Sequence, residues 1–122
     1  MPTVIGSAPG ALARFTAGAL LANAVPHSVK GLTGQRFPTP FADPPGVGPS
    51  SPAENIAWGA INLTAAVVLL RNGIHSRSQG LTVLAGGVVA GFGIARYFGA
   101  LDLETGTRPP RNAVPENPRG AD

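Results

Sequence analysis

Three stretches without a formal charge, residues 15–29, 55–70 and 78–95 with His27 neutral, constrain this chain more than any other feature. Together they hold most of its apolar residues. An amphipathic helix of a soluble domain carries charge opposite its apolar stripe, yet residues 56–70 carry none on any face. Composition agrees: 12% of the 122 residues are charged and 43% are apolar, against about 25% charged in an average soluble domain. The expected fold is therefore all-α, a membrane protein with three transmembrane helices over about residues 11–29, 52–71 and 78–98, within one membrane domain covering 1–103. The rival architecture, a soluble bundle with these segments as core helices, lacks the polar faces it needs.

Arg14 stands at the start of the first segment, where its long stem lets the guanidinium reach the headgroups. Pro26 is expected to kink that helix or end its regular part. Ala22-Asn23-Ala24 fits the small-x-small pattern of a cleaved leader, but the polar Asn23 favours a retained span. Over residues 30–51 Gly31, Gly34, Gly46 and Gly48 alternate with Pro38, Pro40, Pro44, Pro45 and Pro49, so neither helix nor central strand persists. Phe37 and Phe41 flank Pro38-Thr39-Pro40, which a solvated linker does not need, so an ordered loop against the helix ends or the membrane is expected.

Ser51, Pro52 and Glu54 form an N-terminal helix signal, a capping Ser with Pro at the first helical position and Glu at the third. Gly73 is placed to close that helix in the left-handed conformation. The turn over residues 72–79 is short, so helices two and three are expected to form an antiparallel hairpin. Gly87-x-x-x-Gly91 is a GxxxG pattern, and close helix packing is expected at Gly59, Gly86, Gly87 and Gly91. Residues 104–122, with four prolines among Arg, Asn and Glu, are expected to be a disordered tail.

Asn55, Gly59, Asn62 and Ala66 recur at spacings of four, three and four, which makes one polar and small stripe on a helix. Amides left unpaired in lipid are costly, so the stripe should face protein. Its simplest use is interhelical hydrogen bonding; the alternative is a path for a solute or ion. Asn23, His27 and Lys30 line the first helix in the same way. The candidate interaction or ligand surface is therefore Asn23, His27, Arg36, Phe37, Phe41, Asn55, Trp58 and Asn62.

Several function classes lose support. The net charge of +3 and pI near 10.7 suit a nucleic-acid partner, but the basic residues are scattered singly without an aromatic-basic stripe, so none is expected. With no cysteine there is no disulfide, thiolate ligand or Cys nucleophile. A metal site needs several ligands, and the expected topology puts His75 across the bilayer from His27, so neither metal nor cofactor is expected. Glu54 is accounted for by capping, Gly46-Val47-Gly48 runs into Pro49 rather than a dinucleotide pattern, and there is no nucleophile elbow. The chain is expected not to be an enzyme.

The wording Asn23-Ala24-Val25-Pro26-His27, Phe37-Pro38-Thr39-Pro40-Phe41, Pro45-Gly46-Val47-Gly48, Ser50-Ser51-Pro52, Asn55, Trp58-Gly59 and Asn62 resembles a group of small bacterial integral membrane proteins of unassigned function. The likeness covers roughly residues 14–70 and implies no activity or substrate. The Ala-, Gly-, Pro- and Arg-rich composition resembles that of a high-GC bacterium, which implies the cytoplasmic membrane. Expected partners are the lipid bilayer and a second copy or another membrane protein. The leading reading is a non-enzymatic helix-packing or interaction protein. The alternatives are a transporter or channel component whose polar path uses Asn23, Asn55 and Asn62, and an enzyme at the interface. Basic residues are divided between the two sides; Arg14 ahead of the first span and the acid-free basic turn favour an inside N-terminus, with the loop over residues 30–51 outside.

Overall fold

The computed structural model describes residues 7–101, and within them the chain is all-α, with three helices and no strand. These are α1 (Ser7–Leu32), α2 (Pro52–Leu69) and α3 (Arg77–Gly99). The expected tail over residues 104–122 lies outside the described residues. At ~1.5 Å per residue, the 26 residues of α1 reach about 39 Å and the 18 of α2 about 27 Å.

Local chemistry sets the ends. Ser51 caps α2, its Oγ accepting from the backbone N–H of Glu54 at 3.1 Å, with Pro52 at the first helical position. Beyond α2, Gly73 takes φ +79° and its N–H donates to Leu70 O at 2.8 Å. Ser76 caps α3, accepting from Gln79 N at 3.1 Å. Pro26, expected to kink the first helix or end its regular part, does not end it: α1 continues six residues beyond it to Leu32. Proline removes one helical hydrogen bond, a loss offset here by the packing of α1 against both α2 and α3.

α1 packs against both α2 and α3, whereas α2 and α3 nowhere approach each other within 8 Å between Cα atoms. The expected hairpin is thus corrected: its two helices are sequence neighbours held apart by α1. Residue pairing gives the directions. Asn23 meets Asn62 and His27 meets Asn55, so α1 and α2 are antiparallel. Gly86 lies against Phe15 and Phe98 against His27, so α1 and α3 run parallel.

Backbone proximity explains why α1 takes the middle. A Cβ built on Gly18 would lie 1.9 Å from Val83 O, and one on Gly86 would lie 1.9 Å from Phe15 O. On the other flank, a Cβ on Gly59 would lie 2.4 Å from Ser28 Oγ, and one on Gly31 would lie 2.8 Å from Pro52 O. Two of the expected packing glycines, Gly59 and Gly86, are therefore closely covered, and a Cβ on Gly87 would still be in contact, 3.4 Å from Gly18 O. Gly91 is a correction, since a Cβ there meets nothing within 4 Å.

Among the described helices, α3 alone is long and apolar enough, by length and composition, to cross a membrane, with mean hydropathy 1.5 over its most apolar window and 6% of that window buried. The expectation of three such helices holds for this one only. Asn23, Pro26, His27 and Lys30 in α1, and Glu54, Asn55 and Asn62 in α2, lower the hydropathy of the other two.

Candidate functional site

Polarity in this bundle is turned inside out. The largest fully enclosed side chains are His27, Asn55, Asn62 and Thr39, while Leu12, Val29, Leu63, Val67, Leu84, Val89 and Phe92 are half or more exposed. α2 shows it most plainly, burying Asn55, Gly59, Asn62 and Ala66 while Ile56, Ile61, Leu63, Val67 and Val68 face outward.

The buried polar groups form two relays from α2 to α1. Asn55 Nδ2 donates to Phe37 O at 2.8 Å and to Ser51 O at 3.0 Å. A side-chain nitrogen is needed opposite those carbonyls, so Asn55 Oδ1 is left to face His27 Nδ1 at 2.8 Å. An amide oxygen only accepts, hence Nδ1 carries the proton and donates. In the second relay Asn62 Nδ2 donates to Trp58 O at 2.8 Å, and Asn62 Oδ1 accepts from Asn23 Nδ2 at 3.1 Å. The backbone thus sets the orientation of both α2 amides, and these set His27 and Asn23.

The segment after α1 folds onto this end of the bundle. Phe37 and Ser50 exchange backbone hydrogen bonds at 3.3 and 3.2 Å, and Thr39 Oγ1 lies 2.6 Å from Ser50 Oγ. Phe37 is buried, its ring 5.2 Å from His27 and 4.4 Å from Phe98. Phe41 is 55% exposed and stands edge-on to Trp58 at 5.6 Å. Tyr97 OH donates to Gly46 O at 2.9 Å, which ties α3 to the same segment.

Because α2 and α3 do not meet, a cavity of about 650 Å³ remains between them. Ala19, Leu20, Asn23 and His27 of α1 make its floor; Trp58 and Asn62 form one wall, Ala90 and Ile94 the other, and Pro38 to Pro40 close one end. Its surface is mostly apolar.

The structure therefore brings together Asn23, His27, Phe37, Asn55, Trp58 and Asn62, with Phe41 at the edge against Trp58. Arg36 is exposed on the loop and takes no part. Arg14, expected to reach toward headgroups, donates from its guanidinium to Gly73 O at 3.0 Å, fastening the start of α1 to the turn between α2 and α3. Sequence reasoning missed Phe98, Tyr97, Thr39 and Ser50 as parts of the site. Three helices that alternate in direction along the chain bring the end of α3 to the same side as the loop, and that parity, with two adjacent aromatics, was the available signal. No family model matches the chain, and neither a curated protein nor a solved structure does.

Proposed function

We propose that this chain is a three-pass bacterial membrane protein, non-enzymatic, whose helices are joined by buried amides and small residues and whose loop end, with the adjoining cavity, is an interaction or ligand-binding surface. One observation carries the reading: polar side chains are enclosed and branched apolar ones face out along α2 and α3. In water that distribution is unfavourable on both counts, since apolar area stays hydrated at a cost of roughly 25 cal/mol per Å² and amides are desolvated. In hydrocarbon the exposed apolar surface costs nothing and every amide needs an internal partner. Asn55 and Asn62 each have one.

The same hydrogen bonds weigh against the transporter or channel alternative. Asn55 is 0% and Asn62 2% exposed, each committed to protein groups, so they make a dry seam between α1 and α2 rather than a wet path. Alkaline carbonate extraction of native membranes tests the reading. The protein is expected in the pellet, and its release into the supernatant would refute membrane integration.

A further inference from the structure

The two relays leave a residue of unused chemistry on the cavity floor. With Nδ1 donating to Asn55, the neutral His27 ring has Nε2 as an acceptor, and no described residue donates to it. With Nδ2 donating to Asn62, Asn23 keeps Oδ1 as an acceptor, again with no donor among the described residues. No side-chain nitrogen or oxygen among them is both sealed from the surface and unpartnered, so both atoms retain open space, and both residues line the cavity. His27 is only 2% exposed overall, which leaves the cavity as the place where Nε2 is open. Asn23 and His27, four apart on α1, lie on one face about 5–6 Å apart.

The rest of the cavity is asymmetric. Its polar end is at His27, beneath the loop; eight residues down α1, about 12 Å at helical rise, the floor is Ala19 and Leu20 with Ala90 opposite. Among the described residues no carboxylate and no cationic side chain lines it. A site offering acceptors at one end and hydrocarbon along the rest matches a molecule with one neutral donor head and an apolar tail.

We propose that this cavity binds a lipophilic alcohol, entering sideways from the bilayer between α2 and α3, with its hydroxyl donating to His27 Nε2 or Asn23 Oδ1 and its chain lying over Leu20 toward Ala19. The proposal rests on the membrane reading given above. The chain supplies its own reporter: Trp58 is the one tryptophan and it lines the cavity.

The test is Trp58 quenching in phosphatidylcholine nanodiscs by 12-bromododecan-1-ol, compared with its methyl ether, which has the same chain and bromine but no donor. A hydrogen bond of ordinary strength gives the alcohol roughly a fivefold lower half-quenching mole fraction than the ether. Gly93→Leu places a side chain where a Cβ meets nothing within 4 Å, on the cavity wall, so the variant should fold and lose the alcohol's advantage. His27→Phe removes one of the two acceptors and should narrow the gap between the probes; should it fail to insert, the wild-type comparison and Gly93→Leu still decide. Equal potency of alcohol and ether on the wild type, or an unchanged preference in folded Gly93→Leu, overturns the proposal. A second copy filling the groove would appear as dimeric discs without alcohol preference, and overturns it too. Phosphatidylcholine brominated on its acyl chains separates the two levels: if it quenches Trp58 while alcohol and ether coincide, the ligand inference alone fails. If the protein does not enter discs and this lipid leaves Trp58 unquenched, the membrane reading fails with it.

Discussion

Asn55 is the side chain on which the loop end of the molecule depends. It donates to the carbonyls of Phe37 and Ser51 and accepts from His27, so truncation leaves buried His27 Nδ1 without its acceptor, at about 1–3 kcal/mol, and takes one donor from each of two carbonyls that keep a backbone partner. Asn55→Ala is therefore expected to lower the melting temperature in detergent clearly more than Asn62→Ala, which breaks one bond to Asn23 and one to Trp58 O. Equal shifts, read by circular dichroism, would contradict the relay. The two loop phenylalanines separate on the same logic. Phe37 is buried against His27 and Phe98, and Phe37→Ala should destabilise by roughly 3–5 kcal/mol. Phe41, 55% exposed, should cost markedly less.

At the scale of helices, stability depends on how closely α1 can approach its two neighbours. Gly86→Ala drives a methyl group into the backbone of Phe15 and Gly18→Ala one into Val83 O; neither obstacle is a flexible side chain, so α1 and α3 must separate. Both variants are expected to melt several degrees lower. Gly91→Ala meets open space and removes a residue that disfavours helix by about 0.8–1.0 kcal/mol, so its melting temperature should be unchanged or higher. A drop in Gly91→Ala as large as that in Gly86→Ala would show that the GxxxG spacing, not the observed seam, makes the contact.

For the whole molecule, the proposed membrane reading carries a prediction about which end faces which side. Arg14 bonded to Gly73 O sets the start of α1 and the α2–α3 turn at one end, and the Tyr97 bond to Gly46 O sets the end of α3 and the loop at the other. Under the orientation expected from the sequence, with the N-terminus inside and the loop outside, a cysteine at Ser76 should resist a membrane-impermeant thiol reagent in intact cells while one at Gln35 is labelled. Both positions are exposed, unlike Ser50, which is buried and would be shielded on either side. The reverse labelling pattern, with both sites reactive after permeabilisation, would place the loop end in the cytoplasm.

Helix number, the capped start of α2 and the buried stripe of α2 were legible in the sequence because each follows from local rules: charge-free length, capping residues, and the 3.6-residue period that puts Asn55, Gly59, Asn62 and Ala66 on one face; the ends of α1, expected near residues 11 and 29, fall at Ser7 and Leu32. Nothing local says which helix stands between the other two. That was decided by where α1 has no side chain in the way, at Gly18 and Gly31, and it turned an expected hairpin into two walls of a cavity. The course of α1 through Pro26 was tertiary as well, since neighbouring helices stabilise what an isolated helix would give up there. The sequence marked Asn23 and His27 as polar residues in an apolar span. Only packing decided which atom of each is spent on α2 and which still faces open space, because an amide or imidazole is oriented by the carbonyls that surround it, and those come from distant parts of the chain.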